Sequence, residues 1–305
     1  MQIDVVIVTY NRIEKLKNVI KAFNNQTQNP GTIVIVNNNS SDGTLEYLNN
    51  WEKEDTVYNK KVINLNKNIG GSGGFGTGID YLVDNNSKWI WVSDDDAYPD
   101  KNAIKFASDY LDKNKDNLNN ISAICGTVDT ANGIDLNHRR VLNKKTFLLK
   151  EEASKLEDYE LDEFEINYFT YVCSIMNVDK IKQVGSTNRE FFIYYDDSDH
   201  AARLNSVGKV FCIPKIKAFH DIVSADQNSK YTWKTYYLLR NRLFFYKFNF
   251  EPRYYKIEKF LIWLRIFKKR NKSCTKLIKQ VIKDFNSNKM GLSDIYKPGT
   301  DIYKI

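Results

Sequence analysis

Three consecutive carboxylates, Asp94, Asp95 and Asp96, follow the apolar run Trp89-Ile90-Trp91-Val92 after a single serine. A buried strand that ends this way sets hard oxygen ligands at the mouth of a sheet, where they can hold a divalent cation against phosphate oxygens. Alternation along a strand puts Asp94 and Asp96 on one side and turns Asp95 away. A second acidic cluster, Asp196-Asp197-Ser198-Asp199, stands after the aromatic segment Phe191-Phe192-Ile193-Tyr194-Tyr195. Carboxylates there either complement the dipole of a helix that begins with them or serve as a general base.

Other polar segments sit where strands should end. Thr9-Tyr10-Asn11-Arg12 closes a β-branched run from Ile3, and Asn37 to Thr44 closes a second run from Thr32 to Val36. Asp42 suits a cap for a helix starting near Thr44. Gly70 to Gly78 contains six glycines and reads as a loop feeding a helix through Ile79 and Leu82. Glycines let backbone approach a ligand and expose N–H groups to phosphate. The run lacks the Gly-Lys-Ser/Thr of a P-loop, and it follows the third strand, whereas a dinucleotide fingerprint follows the first.

The elements that carry these groups alternate. Strands are expected at Ile3–Thr9, Thr32–Val36, Val62–Leu65 and Trp89–Val92, with helices over Arg12–Asn25, from Thr44, and through Ile79–Leu82. Such alternation predicts an α/β fold with a mainly parallel central sheet flanked by helices, and ligands at the carboxyl ends of its strands. Further on, helices are expected over Ala103–Leu111 and Val178–Val184, and strands over Ile121–Val128, Tyr168–Met176, Val210–Ile213 and Ile216–His220. Asp129 to Leu161 is polar and reads as loop. Past Lys230 the pattern is helical, over Trp233–Phe248, Tyr254–Arg270 and Lys276–Phe285.

Composition narrows the class. At 305 residues, 42% hydrophobic and 27% charged, the chain is globular. Cys125, Cys173, Cys212 and Cys274 are scattered, which points to reduced, buried thiols and a cytoplasmic protein. Met1-Gln2-Ile3-Asp4 lacks the basic start of a secretory signal. Residues 231–305 hold 18 Lys+Arg against 5 Asp+Glu, a balance of +13, so the first 230 residues carry −6 of the total of +7. The expected organisation is a catalytic domain over 1–230 and a basic, aromatic helical extension over 231–305.

Taken in order, Val-Thr-Tyr-Asn-Arg, Asn-Asn-Asn-Ser-Ser-Asp-Gly-Thr, Asn-Ile-Gly-Gly-Ser-Gly-Gly-Phe and Asp-Asp-Asp resemble family 2 glycosyltransferases of GT-A fold. The glycine-rich element before a triple Asp is most similar to the galactofuranosyltransferase and rhamnosyltransferase branch. The resemblance covers roughly residues 1–245 and implies a nucleotide-diphospho-sugar donor with Mn2+ or Mg2+ as cofactor. It implies Asp94, Asp96 and His220 as metal ligands, and Thr9, Arg12, Asn38, Asn68 and Asp94 as nucleotide contacts. Asp197 would be the catalytic base of an inverting transfer, with Tyr195 and Asp196 at the acceptor. His200 and Arg203 are assigned structural roles, and His138 none at the site. Two positions depart from the family pattern: Asn37 stands where an Asp is frequent, and Thr77 where an Arg is frequent.

The branch makes UDP-galactofuranose the first choice of donor and dTDP-rhamnose the second, with a cell-surface or lipid-linked glycan as acceptor. Phe260 to Arg270 is too short to span a bilayer but suits a helix lying on a membrane surface, on the inner face of the cell membrane. Packing on the main domain, or on a second subunit in a homo-oligomer, fits that helix nearly as well. Two rivals are weaker. A nucleic-acid binder would use the basic tail, but the acidic first 230 residues oppose it. A nucleotidyltransferase would carry a Gly-rich, Lys/Arg-bearing loop after the first strand, unlike Thr9-Tyr10-Asn11-Arg12.

Overall fold

The computed structural model describes residues 1–143, 149–222, 231–268 and 272–304. The first third forms β1 (Asp4–Thr9), α1 (Ile13–Asn24), β2 (Thr32–Asn37), α2 (Thr44–Trp51), β3 (Asn59–Asn64), α3 (Gly70–Asp84) and β4 (Trp89–Asp94). These four strands run parallel in the order β3-β2-β1-β4. Every residue of β1 is buried, because both faces are covered. Ile3, Val5 and Ile7 meet Leu16, Val19, Ile20 and Phe23 of α1 on one face. Val6 and Val8 meet Phe75, Ile79 and Leu82 of α3 on the other.

The glycines are not a loop: α3 begins at Gly70, and the run forms its first turns. Gly70 has φ +78°, and an added Cβ would strike the Phe192 carbonyl oxygen. A Cβ at Gly74 would meet Val8 Cγ1 at 2.5 Å, and one at Gly78 would collide with Val6. Helix and sheet therefore approach more closely than side chains allow. That packing demand, which no hydrophobic periodicity reports, is what the glycines meet.

The middle third adds β5 (Ala97–Pro99), α4 (Ala103–Lys113), β6 (Ile121–Thr130), β7 (Gly133–Ile134), β8 (Arg139–Asn143), β9 (Lys150–Ala153), β10 (Phe164–Ile166), β11 (Tyr168–Phe169) and β12 (Ser174–Asn177). It ends with α5 (Val178–Val184), α6 (Asp196–Asn205) and β13 (Lys209–His220). β12 inserts antiparallel between β4 and β6, and β13 lies parallel to β6. The two short strands expected over 210–220 are one strand, with a register break around Pro214. The single strand expected over 168–176 is instead two pieces, separated by a turn in which Cys173 takes φ +55°. Part of the polar stretch from Asp129 pairs as a small second sheet, β11-β8-β9. Arg139, fully buried, anchors it by donating to the carbonyls of Gly126, Val172 and Cys173. All four cysteines are buried, and none is in a disulfide among the described residues.

The last third is α7 (Trp233–Asn249), α8 (Pro252–Lys268) and α9 (Lys272–Asn286). The boundary expected after residue 230, and Lys269 and Arg270 of the expected helix, lie at or outside the edges of the described residues. α7 is buried on most of its surface, Arg240 and Asn241 included, because it is sandwiched. Phe245 and Tyr246 join the core of the α/β body, while Tyr236, Tyr237, Leu243 and Phe244 pack with Ile262 of α8 and Leu277, Ile278 and Val281 of α9. No described helix is long and apolar enough to cross a membrane.

The close approach of α3 sets a test. Gly74→Ala should cost about 1–3 kcal/mol in urea unfolding, because Val8 must move. Gly71→Ala, with no atom within 4 Å of the new Cβ, should be neutral or stabilising by up to about 1 kcal/mol.

Candidate functional site

Parallel pairing brings the ends of β1, β2 and β4 together: Val8 pairs with Asp94, and Thr9 with Asn37. A cavity of about 280 Å3 opens there. Thr9, Arg12, Asn38, Asn68 and Asp94, the five expected nucleotide contacts, all line it. Asn38 is fixed by donating to the Gly70 carbonyl and accepting from the Ile69 N–H, and Asn68 accepts from the Gly70 N–H. Both amides therefore hold the start of α3. Asn37 donates to Asn64, and the Thr77 hydroxyl is spent within α3 on the Gly73 carbonyl.

β4 ends at Asp94, so strand alternation stops before Asp95. Asp95 does not turn away as expected. It lines the same cavity, accepting from the Thr9 hydroxyl at 2.9 Å and from Arg12 at 3.1 Å. Arg12 also donates to Asp96 at 2.8 Å. Lys15 pairs with Asp96 and donates to the Asp221 carbonyl.

Asp94, Asp96 and His220 each present a ligand atom, all within 4.8 Å of one another. The distant His220 arrives because β13 pairs with β5, His220 opposite Ala97, and the Asp221 N–H donates to the Asp96 carbonyl. His220 Nε2 lies 3.3 Å from Asp96, while its buried Nδ1 has no hydrogen-bond partner among the described residues. That orphaned nitrogen and two crowded carboxylates make a donor set suited to Mn2+ or Mg2+. Burial, with the Asp96 charge, pushes Asp94 up to about 7. Burial likewise raises Asp95 to about 6, against the pull of Arg12. Burial works against the Asp96 charge too, but His220 and Arg12 hold its pKa below the usual carboxylate value. Burial disfavours the His220 cation, yet its bond to Asp96 raises it overall. His138, assigned nothing from sequence, packs edge-on to His220 at 5.3 Å.

The second acidic cluster starts α6. Asp196 is buried, and burial with the neighbouring Asp197 raises it to about 8. Phe192 and Ile193, which lead into this helix start, line the same cavity as Asp94 and Asp95. Asp197 accepts from the Ser198 N–H at 2.6 Å. Burial raises it as well, but Arg140 and the Ser198 bonds oppose the rise. Arg140 lies over Tyr168, donates to Ser198 and pairs with Glu151. Tyr195 packs on Phe245 of α7, and a smaller cavity of about 150 Å3 nearby is lined by Arg242, Tyr246, Tyr254 and Glu258 among others. His200 is buried against the Tyr171 hydroxyl, and Arg203 ties Asp199 to the carbonyls of Val184, Gly185 and Ser186.

The three left-handed residues before the cluster, Phe192, Tyr194 and Tyr195, are held from α7. Buried Asn241 donates to the carbonyls of Phe191, Ile193 and Tyr194. Sequence reasoning missed Asn241, Asp95 and His138, and also Trp233, Lys234 and Pro298, which line the larger cavity from the C-terminal region.

The family model described as Glycosyl transferase family 2 matches residues 4–185. Galactofuranosyltransferase GlfT1 of Mycolicibacterium smegmatis is 29% identical over 94 residues, 31% of this chain and 30% of that relative. The chain thus matches less than a third of that relative's length. The crystal structure of S. aureus TarS in complex with UDP-GlcNAc gives a TM-score of 0.58 at 14% identity, over 95% of this chain and 82% of that one. Mannosyltransferase PcManGT from Pyrobaculum calidifontis, in complex with GDP-Man and Mn2+, gives 0.54 at 11% identity, over 81% and 63%. At those identities the likeness to solved structures is one of fold.

The raised carboxyls dictate a pH dependence. Asp94 and Asp196 keep protons in the folded state that the unfolded chain, with a pKa of about 4, has released. His220, raised in the folded state, loses its contribution in the same direction. In chelator, the thermal midpoint should therefore fall from pH 6.5 to pH 8.5, and Asp196→Asn should flatten the fall. A midpoint that rises over this range would contradict the assignment.

Proposed function

The chain belongs to glycosyltransferase family 2, with a GT-A type fold, and we propose that it is an inverting transferase that moves a sugar from a nucleotide diphosphate to a glycan hydroxyl. One observation carries this reading: a single cavity gathers five polar strand-end residues, Asp94 of the Asp94–Asp96–His220 cluster among them, and takes one wall from Phe192 and Ile193, which lead into the Asp196–Asp197 helix start.

Thr9, Arg12, Asn38 and Asn68 bind the nucleotide, and Asp94 and Asp96 with His220 hold Mn2+ or Mg2+. Bound there, the ion supplies positive charge to the departing diphosphate. Asp197 is the base. A like-charged buried pair shares one proton more readily than it ionises twice. Arg140 and the Ser198 donors favour the ionised form at Asp197, which leaves the shared proton on Asp196. Neutral Asp196 then donates a hydrogen bond that orients the acceptor beside Tyr195. The Asp197 carboxylate takes the hydroxyl proton as the oxygen attacks the anomeric carbon.

The likeness to mycobacterial GlfT1 makes UDP-galactofuranose the first choice of donor. dTDP-rhamnose is the second. The acceptor is a cell-surface or lipid-linked glycan reached from the cytoplasmic side of the membrane. Lys256, Phe260, Trp263 and Phe267 form an exposed stripe on α8, with the rings in contact at 6.0 Å and 4.8 Å. Aromatic groups amid a strongly basic extension suit the surface of an anionic bilayer.

Two experiments test this. Calorimetry with several nucleotide sugars and Mn2+ identifies the donor. Asp197→Asn should bind it nearly as wild type while turnover falls by about two or more orders of magnitude. His220→Ala should instead weaken metal-dependent donor binding. Normal turnover in Asp197→Asn would place the base elsewhere. For the membrane, the protein should sediment with anionic liposomes and be released by high salt. A Phe260/Trp263/Phe267→Ser variant should stay in solution; if it sediments like wild type, α8 is not the contact.

A further inference from the structure

The donor cavity takes one wall from outside the α/β body. Trp233 and Lys234, the first two residues of α7, line it. A ladder of rings positions this corner: Trp233 packs edge-on to Tyr237 at 5.9 Å, and Tyr237 lies against Phe192 at 5.2 Å. Lys234 is exposed, with its ammonium 5.8 Å from the centre of the Trp233 ring.

The charged groups lining this cavity are Asp94, Asp95, Arg12 and Lys234. Arg12 is committed, because it pairs with Asp95 and Asp96. Lys234 forms no ion pair among the described residues. A nucleotide diphosphate sugar brings two further negative charges to a floor that already holds two carboxylates. The cavity's one cation not committed to a carboxylate, among the described residues, is therefore on the extension.

We infer that Lys234 is a donor-binding residue whose ammonium contacts the diphosphate, so that the C-terminal helices complete the nucleotide site. This rests on the donor reading above. A flexible ammonium suits the task as a point charge that can follow the phosphates. Its place in the first turn of a helix adds the favourable end of the dipole, and the Thr235 hydroxyl accepts from the Thr232 N–H at that helix start. Nothing in this arrangement addresses the base or ribose, so the contribution of Lys234 should vanish for a ligand without phosphate.

The test uses the full chain, calorimetry at fixed Mn2+, and UDP and uridine as probes. Lys234→Met should weaken UDP about tenfold, and Lys234→Glu more than Lys234→Met. Lys234→Arg should retain UDP affinity within about threefold, since it restores the charge. Uridine should bind all four proteins alike. The Glu, Met, Arg ordering separates charge from a local packing defect, which would weaken UDP and uridine together. UDP binding by the Met and Glu variants equal to wild type overturns the role of Lys234 and leaves the donor reading intact. Failure of wild type to bind UDP or any other nucleoside diphosphate removes the donor reading and this inference with it.

Discussion

The side-chain amide of Asn241 holds the arrangement together. Its two N–H groups reach three carbonyls, those of Phe191, Ile193 and Tyr194, from a fully buried position. The segment it grips is one the chain would not adopt alone. Phe192, Tyr194 and Tyr195 all have positive φ, at about 1–3 kcal/mol each for residues with a Cβ. Those turns let Phe192 press its carbonyl onto the start of α3, where the Ser72 N–H donates to it, and start α6 at Asp196. One amide thus ties together the helix behind the nucleotide cavity, the acidic helix start and the C-terminal helices.

Charge crowding is the second constraint, and it opposes the first. Asp94, Asp95 and Asp96 crowd the end of β4, and Asp196 and Asp197 crowd the start of α6. Burial raises Asp94, Asp95 and Asp196, while Asp96 alone is held down by its partners. A fold optimised for stability would not bury these groups together. Strained backbone and raised carboxyls both cluster at functional sites, which supports the reading proposed above.

The parts of this site legible in the sequence were those governed by local pattern. A β-branched run ending in polar residues specifies both a buried strand and what stands at its mouth, so Thr9, Asn38 and Asp94 could be placed without coordinates. Asn68 and His220 followed from the order of motifs. What stayed hidden depends on distance or on termination. Asp95 was misplaced because alternation was extended one residue beyond the end of β4. The glycines of α3 were read as a loop because helix propensity penalises them, whereas tertiary packing against Val6 and Val8 requires them. His138 reaches His220 only through the pairing of remote strands. Asn241 sits in an aromatic helix whose periodicity says nothing about a carbonyl cluster some 50 residues earlier in the chain.

The division into a catalytic body and an extension, natural from composition, understates how α7 works. One end of this helix places Trp233 and Lys234 in the nucleotide cavity; its middle holds the Phe191–Tyr194 backbone through Asn241; its far half sets Arg242 and Tyr246 beside the smaller cavity near Tyr195. A helix packed on both sides moves as a unit, because close-packed interiors do not absorb small displacements locally. A shift of α7 would therefore disturb the donor wall and the acidic helix start together. α8 and α9 back α7 through a shared apolar core, with the exposed ring stripe of α8 facing away from it. A force applied to that outer face, by a bilayer or a second subunit, has a continuous packed route to both ends of the site. On the reading proposed above, the basic tail contributes to the site through the residues that α7 places there.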